Sequence, residues 1–350
     1  MSSGSLGSIW RGTSVFVGPV GLMPAADVLL RNDDGRFAVA NSAGVDGVEP
    51  AYGLGVLFAD TDDDGDVDLF VANDSMPNFL FRNDGGHFTE SALDAGLAFG
   101  GMGNEQASMG VAWGDYDGDL RPDLFATHFE DDYNTLYRNE GAGRFVDATL
   151  TAGLGAVSFS QVGFGATFAD FDRDGDRDLF VANGHVHPQM ERSNTGSAYA
   201  QPNQLLENKG DGTFAAVDAF ADERRVSRTA LAGDFDDDGD LDLFVHNLND
   251  RLSLWRNDGG AENHWLGVRL VGTAGNRDGV GARVLIVAGG RTQVGNVLRG
   301  SSFLGAEDPR LFFGLGEAMS VDSLIIRWPT GKRQVIVAPP IDRYLLATEE

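Results

Sequence analysis

The chain has 350 residues and a formal net charge of -27, from 53 acidic and 26 basic side chains. This balance argues against nucleic-acid binding, because a phosphate backbone is held by clustered Lys and Arg. The absence of cysteine excludes disulfides and thiolate metal sites, and the lack of any run of about 18 apolar residues predicts no membrane span.

The chain begins with MSSGSLGSIWRGT, which lacks both the basic and the apolar region of a secretory signal. We therefore expect either a cytoplasmic protein or a leader outside these residues. The stretches that follow, SIW, TSVFVG and VLLRNDDGRFAV, predict the short strands of a degenerate first repeat that carries no acidic loop.

Four acidic nine-residue loops come next, each with Asp at positions 1, 3, 5 and 9. They read DTDDDGDVD at 60–68, DYDGDLRPD at 115–123, DFDRDGDRD at 170–178 and DFDDDGDLD at 234–242. Two like charges about 4 Å apart repel by roughly 4 kcal/mol at an effective dielectric of about 20. A hard divalent cation with oxygen ligands offsets this repulsion, so the loops predict calcium binding. The alternative is that these aspartates only cap turns and solvate the loops.

Apolar runs of strand length flank every loop, for example GVLFAD before the first and LFVAN after it. Hairpin signals such as Asn-Asp-Gly-Gly and Lys-Gly-Asp-Gly follow, as in FLFRNDGGHFTE. Because the loops begin at 60, 115, 170 and 234, the unit repeats every 55 to 64 residues. Short antiparallel strands at such a period are typical of propeller blades. We predict an all-β fold in which residues 1–260 form about five recognisable blades; a solenoid is the alternative.

The repeat stops near residue 262. The remainder reads WLGVRLVG, GARVLIVAGG, TQVGNVLRG, RLFFGLG, VDSLIIRWPTG and KRQVIVA, which are alternating strands broken by glycine. We therefore predict a second unit over 261–350, a small β-sandwich packed on the propeller edge. It could instead complete the ring.

The motifs GVAWGDYDGD, LFVAND and NTLYRNEGAGRF resemble FG-GAP/VCBS repeats, the blades of integrin α-subunit heads. The tail, from Asn263-His264-Trp265-Leu266 to Arg327-Trp328-Pro329-Thr330-Gly331, resembles the ASPIC/UnbV domain. Together they are similar to the cartilage-acidic-protein-like family. Its members are mostly bacterial and often secreted, and some are encoded in enediyne antibiotic clusters. The resemblance implies an extracellular or periplasmic location, with the cytoplasm as the alternative.

The resemblance also implies up to four structural calcium ions. In similar loops, positions 1, 3, 5 and 9 supply side-chain oxygens and position 7 supplies a backbone carbonyl. The ligands it implies are Asp60, Asp62, Asp64, Asp66 and Asp68 in loop 1; Asp115, Asp117, Asp119 and Asp123 in loop 2; Asp170, Asp172, Asp174, Asp176 and Asp178 in loop 3; and Asp234, Asp236, Asp238, Asp240 and Asp242 in loop 4.

Loop 2 departs from this pattern. Loops 1, 3 and 4 have Gly65, Gly175 and Gly239 at position 6, where the tight turn favours positive φ. Loop 2 has Leu120 there, and its glycine stands at 118. A branched residue with positive φ is strained, so we expect loop 2 to be the poorest of the four sites.

Ligands of propellers usually meet the face opposite such loops. The longest loop predicted on that face, 184–203, carries His185, His187 and Glu191, and His128 and His246 lie in neighbouring loops. Histidines beside carboxylates could bind a transition metal or perform acid–base chemistry. The alternative is that they are ordinary loop side chains, solvated or hydrogen-bonded.

The sequence is compatible with three functions. The first is a calcium-stiffened binding module that presents its metal-free face to a protein, glycan or small molecule. The second is an enzyme or accessory protein of natural-product biosynthesis that uses the His185/His187 loop. The third is a structural extracellular protein. The sequence contains no Ser-His-Asp motif, phosphate loop or dinucleotide fingerprint, which favours a non-enzymatic function.

Overall fold

The computed structural model describes residues 7–40, 42–259 and 262–350, and strands dominate all three ranges. Helical structure in these ranges is confined to single turns. Two are α-helical, α1 (Ala92–Ala95) and α2 (Gly155–Ser158), and two are 3-10 turns, Val45–Gly47 and Pro188–Arg192.

Two hairpins come first along the chain. Strands β1 (Gly7–Trp10) and β2 (Thr13–Phe16) form one two-stranded sheet, and β3 (Leu30–Asp33) and β4 (Arg36–Val39) form another. The β3–β4 turn places Asp34 and Gly35 in the left-handed region, as its Asn-Asp-Asp-Gly sequence predicts. The degenerate first repeat thus consists of two separate hairpins in the described residues.

Four antiparallel sheets follow. The first contains β5 (Gly53–Ala59), β6 (Asp68–Asn73), β7 (Phe79–Asp84) and β8 (His87–Glu90). The second contains β9 (Val111–Gly114), β10 (Asp123–Ala126), β11 (Thr135–Gly141) and β12 (Arg144–Asp147). In both sheets each strand pairs with its neighbour in sequence.

The third sheet repeats this order with one excursion. It contains β13 (Gly163–Ala169), β14 (Asp178–Asn183), β16 (Gln204–Asn208) and β17 (Phe214–Val217). The long loop inside it carries β15 (Gln201–Pro202), which pairs with β18 (Arg224–Arg225). The fourth sheet has three strands, β19 (Ser227–Gly233), β20 (Asp242–Asn247) and β21 (Ser253–Trp255).

Successive sheets pack face to face through apolar side chains. Leu57 and Phe70 of the first sheet share a core with Leu124 of the second. Phe125 and Phe168 join the second sheet to the third, and the third and fourth sheets meet in the same way. Since the first strands of consecutive sheets are neighbours, the sheets follow one another around an arc. The predicted all-β, propeller-like fold is confirmed.

The C-terminal strands form two further sheets over their own apolar core. The strands are β22 (His264–Val271), β23 (Arg283–Ala288), β24 (Arg291–Asn296), β25 (Leu311–Gly316), β26 (Val321–Arg327), β27 (Arg333–Val337) and β28 (Tyr344–Thr348). One sheet has the order β25-β22-β28, with β22 and β28 parallel, and the other has the order β24-β23-β26-β27. We call these strands and their connections the C-terminal sheets.

One connection of the C-terminal sheets enters the arc. Residues 299–305, which we call the central segment, lie among the first strands of three consecutive sheets. Val111 N donates to Ser302 O over 3.0 Å, and Ala230 N donates to Ser302 Oγ over 3.0 Å. The Phe303 ring packs edge-on against Phe164, with 4.9 Å between centroids. The centre of the arc is therefore filled by chain from the C-terminal sheets.

Candidate metal sites

The four acidic loops connect the first and second strands of the four sheets and share one backbone course. In each loop, positions 4 and 6 are both left-handed, with φ of 64° and 99° at Asp63 and Gly65 of loop 1. Loop 2 has φ of 75° at Gly118 and 69° at Leu120. Leu120 therefore has the positive φ that the sequence predicts, while the glycine of loop 2 occupies the other left-handed position.

Three carboxylates converge in every loop. In each set, one oxygen per residue lies within 4.8 Å of the others, and the sets are Asp60, Asp62 and Asp68; Asp115, Asp117 and Asp123; Asp170, Asp172 and Asp174; and Asp234, Asp236 and Asp242. The predicted ligands at positions 1 and 3 thus come together in all four loops. Position 9 joins them in loops 1, 2 and 4, and position 5 joins them in loop 3.

The position 1 carboxylate closes each loop. Its Oδ2 accepts the backbone N–H of position 6, from Gly65 to Asp60 over 3.1 Å and from Gly175 to Asp170 over 3.0 Å. Within the described part of the chain, the second oxygen, Oδ1, of both Asp60 and Asp170 is buried and has no hydrogen-bond partner. Buried carboxylate oxygens normally have a partner, so each of these two atoms is available to a cation.

Positions 5 and 7 hold the far side of the loop. The position 5 carboxylate accepts the N–H of position 7, which is 2.8 Å from Asp66 N to Asp64 Oδ1 and 3.0 Å from Asp240 N to Asp238 Oδ1. The position 7 aspartates bond outside their own loops: Asp176 pairs with Arg291, and the buried Asp240 pairs with Arg173 of loop 3. That the backbone carbonyl of position 7 binds the ion stays a prediction. Asp119 of loop 2 keeps the position 5 bond and also pairs with Arg121.

The position 9 carboxylate anchors the loop to the sheet. Asp178 accepts the N–H groups of Phe171 over 3.2 Å and Asn208 over 2.9 Å. Equivalent bonds reach Asp68, Asp123 and Asp242. Asp178 lies outside the three-carboxylate set of loop 3.

An asparagine in or just after the third strand, which the sequence analysis does not single out, joins loops 2, 3 and 4 to the loop that precedes each of them. Asn208 Nδ2 donates to Arg177 O of its own loop over 3.1 Å and to Tyr116 O of the preceding loop over 2.8 Å. Asn139 and Asn257 reach the preceding loop in the same way. The sequence carries a signal for it, because an Asn recurs in each repeat: Asn83, Asn139 and Asn208 lie in the third strands, and Asn257 lies two residues after β21.

Burial and like charge work against ionisation of these carboxyls. Burial is the main cause that raises the pKa of Asp60 and Asp115 to about 6, that of Asp178 to about 7 and that of Asp123 to about 9. The pKa of Asp170 is also raised well above its ordinary value, by burial and then by Asp174 and the other carboxylates of its loop. A bound cation would favour the ionised forms, and the all-oxygen donor set suits a hard divalent ion.

The C-terminal sheets lie on this loop face rather than at the propeller edge that the sequence predicts. Arg283 Nη1 is 2.9 Å from Asp63 Oδ1, and Arg310 Nη1 is 2.7 Å from Asp237 Oδ1. Backbone atoms also meet the loops, with Gly316 N donating to Arg173 O over 2.8 Å. The contacts reach loops 1, 3 and 4 directly, and Arg283 Nη2 also donates to Leu120 O of loop 2 over 2.6 Å.

The predicted ligand-face residues do not form one cluster. His128 is fully buried, its ring nitrogens lie near Ser108 and Thr135 hydroxyls, and burial lowers its pKa to about 3. His246 is exposed on β20, and Glu191 is exposed on the 3-10 turn Pro188–Arg192. Only His185 and His187 stay together, with 5.3 Å between ring centroids.

His185 belongs to a buried hydrogen-bond network. Its Nε2 lies 3.0 Å from Glu130 Oε1, its Nδ1 accepts His187 N–H over 2.9 Å, and Ser197 Oγ donates to Glu130 Oε2 over 2.7 Å. Trp10 and Phe129 pack against the His185 ring. Among the residues that the structure describes, no group of three clustered metal-ligating side chains includes a histidine. The geometry is that of a packed structural network.

Comparison with known families agrees with these features. Residues 60–126 and 115–181 match the FG-GAP-like repeat model, and residues 272–350 match the model described as ASPIC and UnbV. The chain contains FG-GAP-like repeats and an ASPIC and UnbV domain. The resemblance inferred from the sequence is confirmed. Strands β23 to β28 of the C-terminal sheets lie in the ASPIC/UnbV match, and β22 (His264–Val271) precedes it.

The chain is homologous to cartilage acidic protein 1. It is 30% identical to the Mus musculus protein over 350 aligned residues, which cover 90% of this chain and 48% of the relative. The Xenopus tropicalis protein is 27% identical, with 90% and 48% covered. The chain thus spans about half the length of the curated relatives it matches.

Similarity to solved structures is weak. The V. cholerae biofilm matrix protein Bap1 gives a TM-score of 0.33 at 11% identity, covering 82% of this chain and 59% of that one. The Dos1 propeller gives 0.28 at 10% identity, covering 90% and 88%. TM-scores this low do not establish a shared fold. Separately, no helix in the described ranges has the length and hydropathy that crossing a membrane requires.

Proposed function

We propose that the chain is a calcium-stabilised interaction module whose ligands bind on the face opposite the aspartate loops. The observation that carries the proposal is the position of the C-terminal sheets, because residues such as Arg283 and Arg310 contact the loop face directly. A partner would therefore meet the other face, formed by loops such as 128–134 and 184–203.

Calcium would be structural in this proposal. Ions held by the aspartates named above would neutralise the clustered carboxylates and cross-link the two ends of each loop. If each site binds with a dissociation constant of about 10⁻³–10⁻⁴ M, millimolar calcium stabilises the fold by about 0.4–1.4 kcal/mol per site. Sites of that affinity stay mostly empty at cytosolic calcium levels. We therefore propose an extracellular or periplasmic location, in line with relatives named for cartilage.

The first test is removal of the metal. EDTA should lower the melting temperature by several degrees and calcium should restore it, with up to four ions bound per chain in equilibrium dialysis. The control is magnesium, which demands near-octahedral geometry and should restore less. An unchanged melting curve in EDTA would remove the structural role of calcium from the proposal.

The second test addresses the ligand face. Phe159 is 48% exposed beside the 128–134 loop, where its carbonyl accepts Asp131 N–H, and Leu346 is 61% exposed on the C-terminal sheets. Phe159→Asp should reduce retention of the calcium-loaded chain on immobilised glycans or matrix proteins, and Leu346→Asp should not. The reverse pattern would place the binding surface on the C-terminal sheets.

The surroundings of His185 give no support to the enzymatic alternative. His185 is fully buried, and both of its ring nitrogens have hydrogen-bond partners. A general base must reach the proton it abstracts, which this side chain does not.

A further inference from the structure

The C-terminal sheets supply a second donor to the position 1 carboxylate of loops 3 and 4. In loop 4, Asp234 Oδ2 accepts Gly239 N–H over 2.9 Å and the Tyr344 hydroxyl over 2.7 Å. In loop 3, Asp170 Oδ2 accepts Gly175 N–H over 3.0 Å and Gly314 N–H over 3.1 Å. Each of these oxygens is thus held by one donor from its own loop and one from the C-terminal sheets.

Loops 1 and 2 show no such second donor among the residues that the structure describes. In that part of the chain, Asp60 Oδ2 accepts only Gly65 N–H, and Asp115 Oδ2 accepts only Leu120 N–H. The C-terminal contacts at these loops go elsewhere, as Arg283 bonds Asp63 and the Leu120 carbonyl. Loops 3 and 4 therefore share one arrangement of the position 1 carboxylate, and loops 1 and 2 share another. Loops 1 and 2 thus allow the effect of the second donor to be compared within one chain.

The close approach is built into the packing of the C-terminal sheets. A Cβ at Gly314 would lie 2.0 Å from Asp170 Oδ2, so only glycine brings its N–H to that carboxylate. A Cβ at Gly267 would lie 2.2 Å from the Tyr344 ring, so this glycine makes room for the tyrosine. Trp265 and Arg310 pack on the same ring, at 5.2 Å between centroids and 4.6 Å from the guanidinium carbon.

We infer that Tyr344 is a positioning residue for the loop 4 metal site, and that the Gly314 N–H does the same for loop 3. The inference rests on the proposed calcium sites. A carboxylate whose Oδ2 is fixed by two donors presents its other oxygen in one orientation, and removing such an outer partner typically weakens metal binding about 10- to 100-fold. By linkage, calcium in these two loops also favours docking of the C-terminal sheets.

The test compares two Tyr→Phe variants of the full chain. Tyr344→Phe removes the hydroxyl that bonds Asp234, whereas Tyr133→Phe removes a hydroxyl that bonds Asp147 over 3.0 Å, away from every acidic loop. Calcium affinities come from calorimetric titration and terbium luminescence. Asp236→Asn assigns the loop 4 step, because it removes one carboxylate of that site alone.

We expect Tyr344→Phe to raise the calcium dissociation constant of one binding step, that of loop 4, about tenfold. Tyr133→Phe should leave all steps unchanged, and the effect of Tyr344→Phe should vanish in the Asp236→Asn background. Melting in EDTA should be similar for both Tyr→Phe variants, because each of them loses one hydroxyl-to-carboxylate hydrogen bond when no ion is bound.

Two results would overturn the inference while leaving the calcium sites in place. One is an unchanged loop 4 affinity in Tyr344→Phe although Asp236→Asn abolishes that step. The other is a decrease in the melting temperature of Tyr344→Phe that is equal with and without calcium, which would make Tyr344 a packing residue only. If neither EDTA nor Asp236→Asn alters anything, the proposed calcium sites themselves are wrong.

Discussion

The asparagine clip offers a sharp test of how neighbouring loops are held together. Asn208 is 3% exposed, and its Nδ2 donates to Arg177 O at 3.1 Å and to Tyr116 O of the preceding loop at 2.8 Å. Asn83 holds the same position in the first sheet, but within the described ranges its Nδ2 donates only to Val67 O, at 3.0 Å. Asn208→Ala and Asn83→Ala therefore differ by one bond between sheets.

The expected losses follow from these bonds. A buried hydrogen bond contributes about 1 kcal/mol net, and an orphaned buried acceptor costs about 1–3 kcal/mol. Asn208→Ala orphans two carbonyls, so we expect a loss of about 2–4 kcal/mol. Asn83→Ala orphans one carbonyl and should cost about 1–2 kcal/mol. The difference, about 1–2 kcal/mol, measures the bond between the second and third sheets.

The assay is urea denaturation of both calcium-loaded variants, followed by tryptophan fluorescence and far-UV circular dichroism. Coincident transitions in the two signals justify comparing free energies of unfolding. Equal losses in Asn208→Ala and Asn83→Ala would refute the reasoning, because they would show that the Tyr116 contact adds nothing to stability.

Two further predictions concern the carboxylates. With calcium present, Asp170→Ala should lower the free energy of unfolding by about 3–5 kcal/mol, because it removes two charge-assisted hydrogen bonds, from Gly175 and Gly314. Asp119→Ala should lower it by about 1 kcal/mol. Urea midpoints that are equal for the two variants, or in the reverse order, would contradict this prediction. Without calcium, burial raises the pKa of Asp60 to about 6 in the folded chain. Between the ordinary carboxyl pKa of about 4 and this value, the folded state binds more protons than the unfolded state, so the melting temperature in EDTA should fall as the pH rises from about 4 to about 6. Calcium should abolish that fall, and a rise in EDTA would refute the assignment.

The local secondary structure could be predicted from the sequence. Alternating apolar runs, Asn-Asp-Gly turns and the spacing of aspartates predicted the strands, the hairpins and the all-β fold. The positive φ at Leu120 was also predicted from the sequence. The structure adds that each loop carries two left-handed positions, so loop 2 exchanges its glycine between positions 4 and 6. Leu tolerates such a φ less well than the Asp63 or Asp237 of other loops, so loop 2 is still expected to be the poorest site.

The contacts between residues far apart in the sequence could not be predicted from it. The contact between Asp234 and Tyr344 joins residues 110 positions apart, and no periodicity reports it. Glycines illustrate the difficulty, since the sequence indicates turns for most of them. Gly267 and Gly314 instead lie within strands, where the absence of a side chain gives clearance for Tyr344 and Asp170. Composition does not distinguish a glycine needed for its φ from one needed for its small size.

The histidines show a different failure. His185 and His187 were predicted as candidates for a ligand face because they share a loop with a carboxylate. The structure pairs His185 with Glu130, which is 55 residues away, and buries both. Loop length and composition predict which residues reach one surface, but the shape of the surrounding packing decides whether they face solvent.

The course of residues 299–305 sets an order of events during synthesis. Ser302 bonds Val111 and Ala230, so these strands leave the ribosome long before their partner exists. Until then, the polar backbone groups at the centre of the nascent domain have only water to bond. Full protection of the Val111 and Ala230 amides against hydrogen exchange should therefore arise late, after the chain has been translated beyond residue 305.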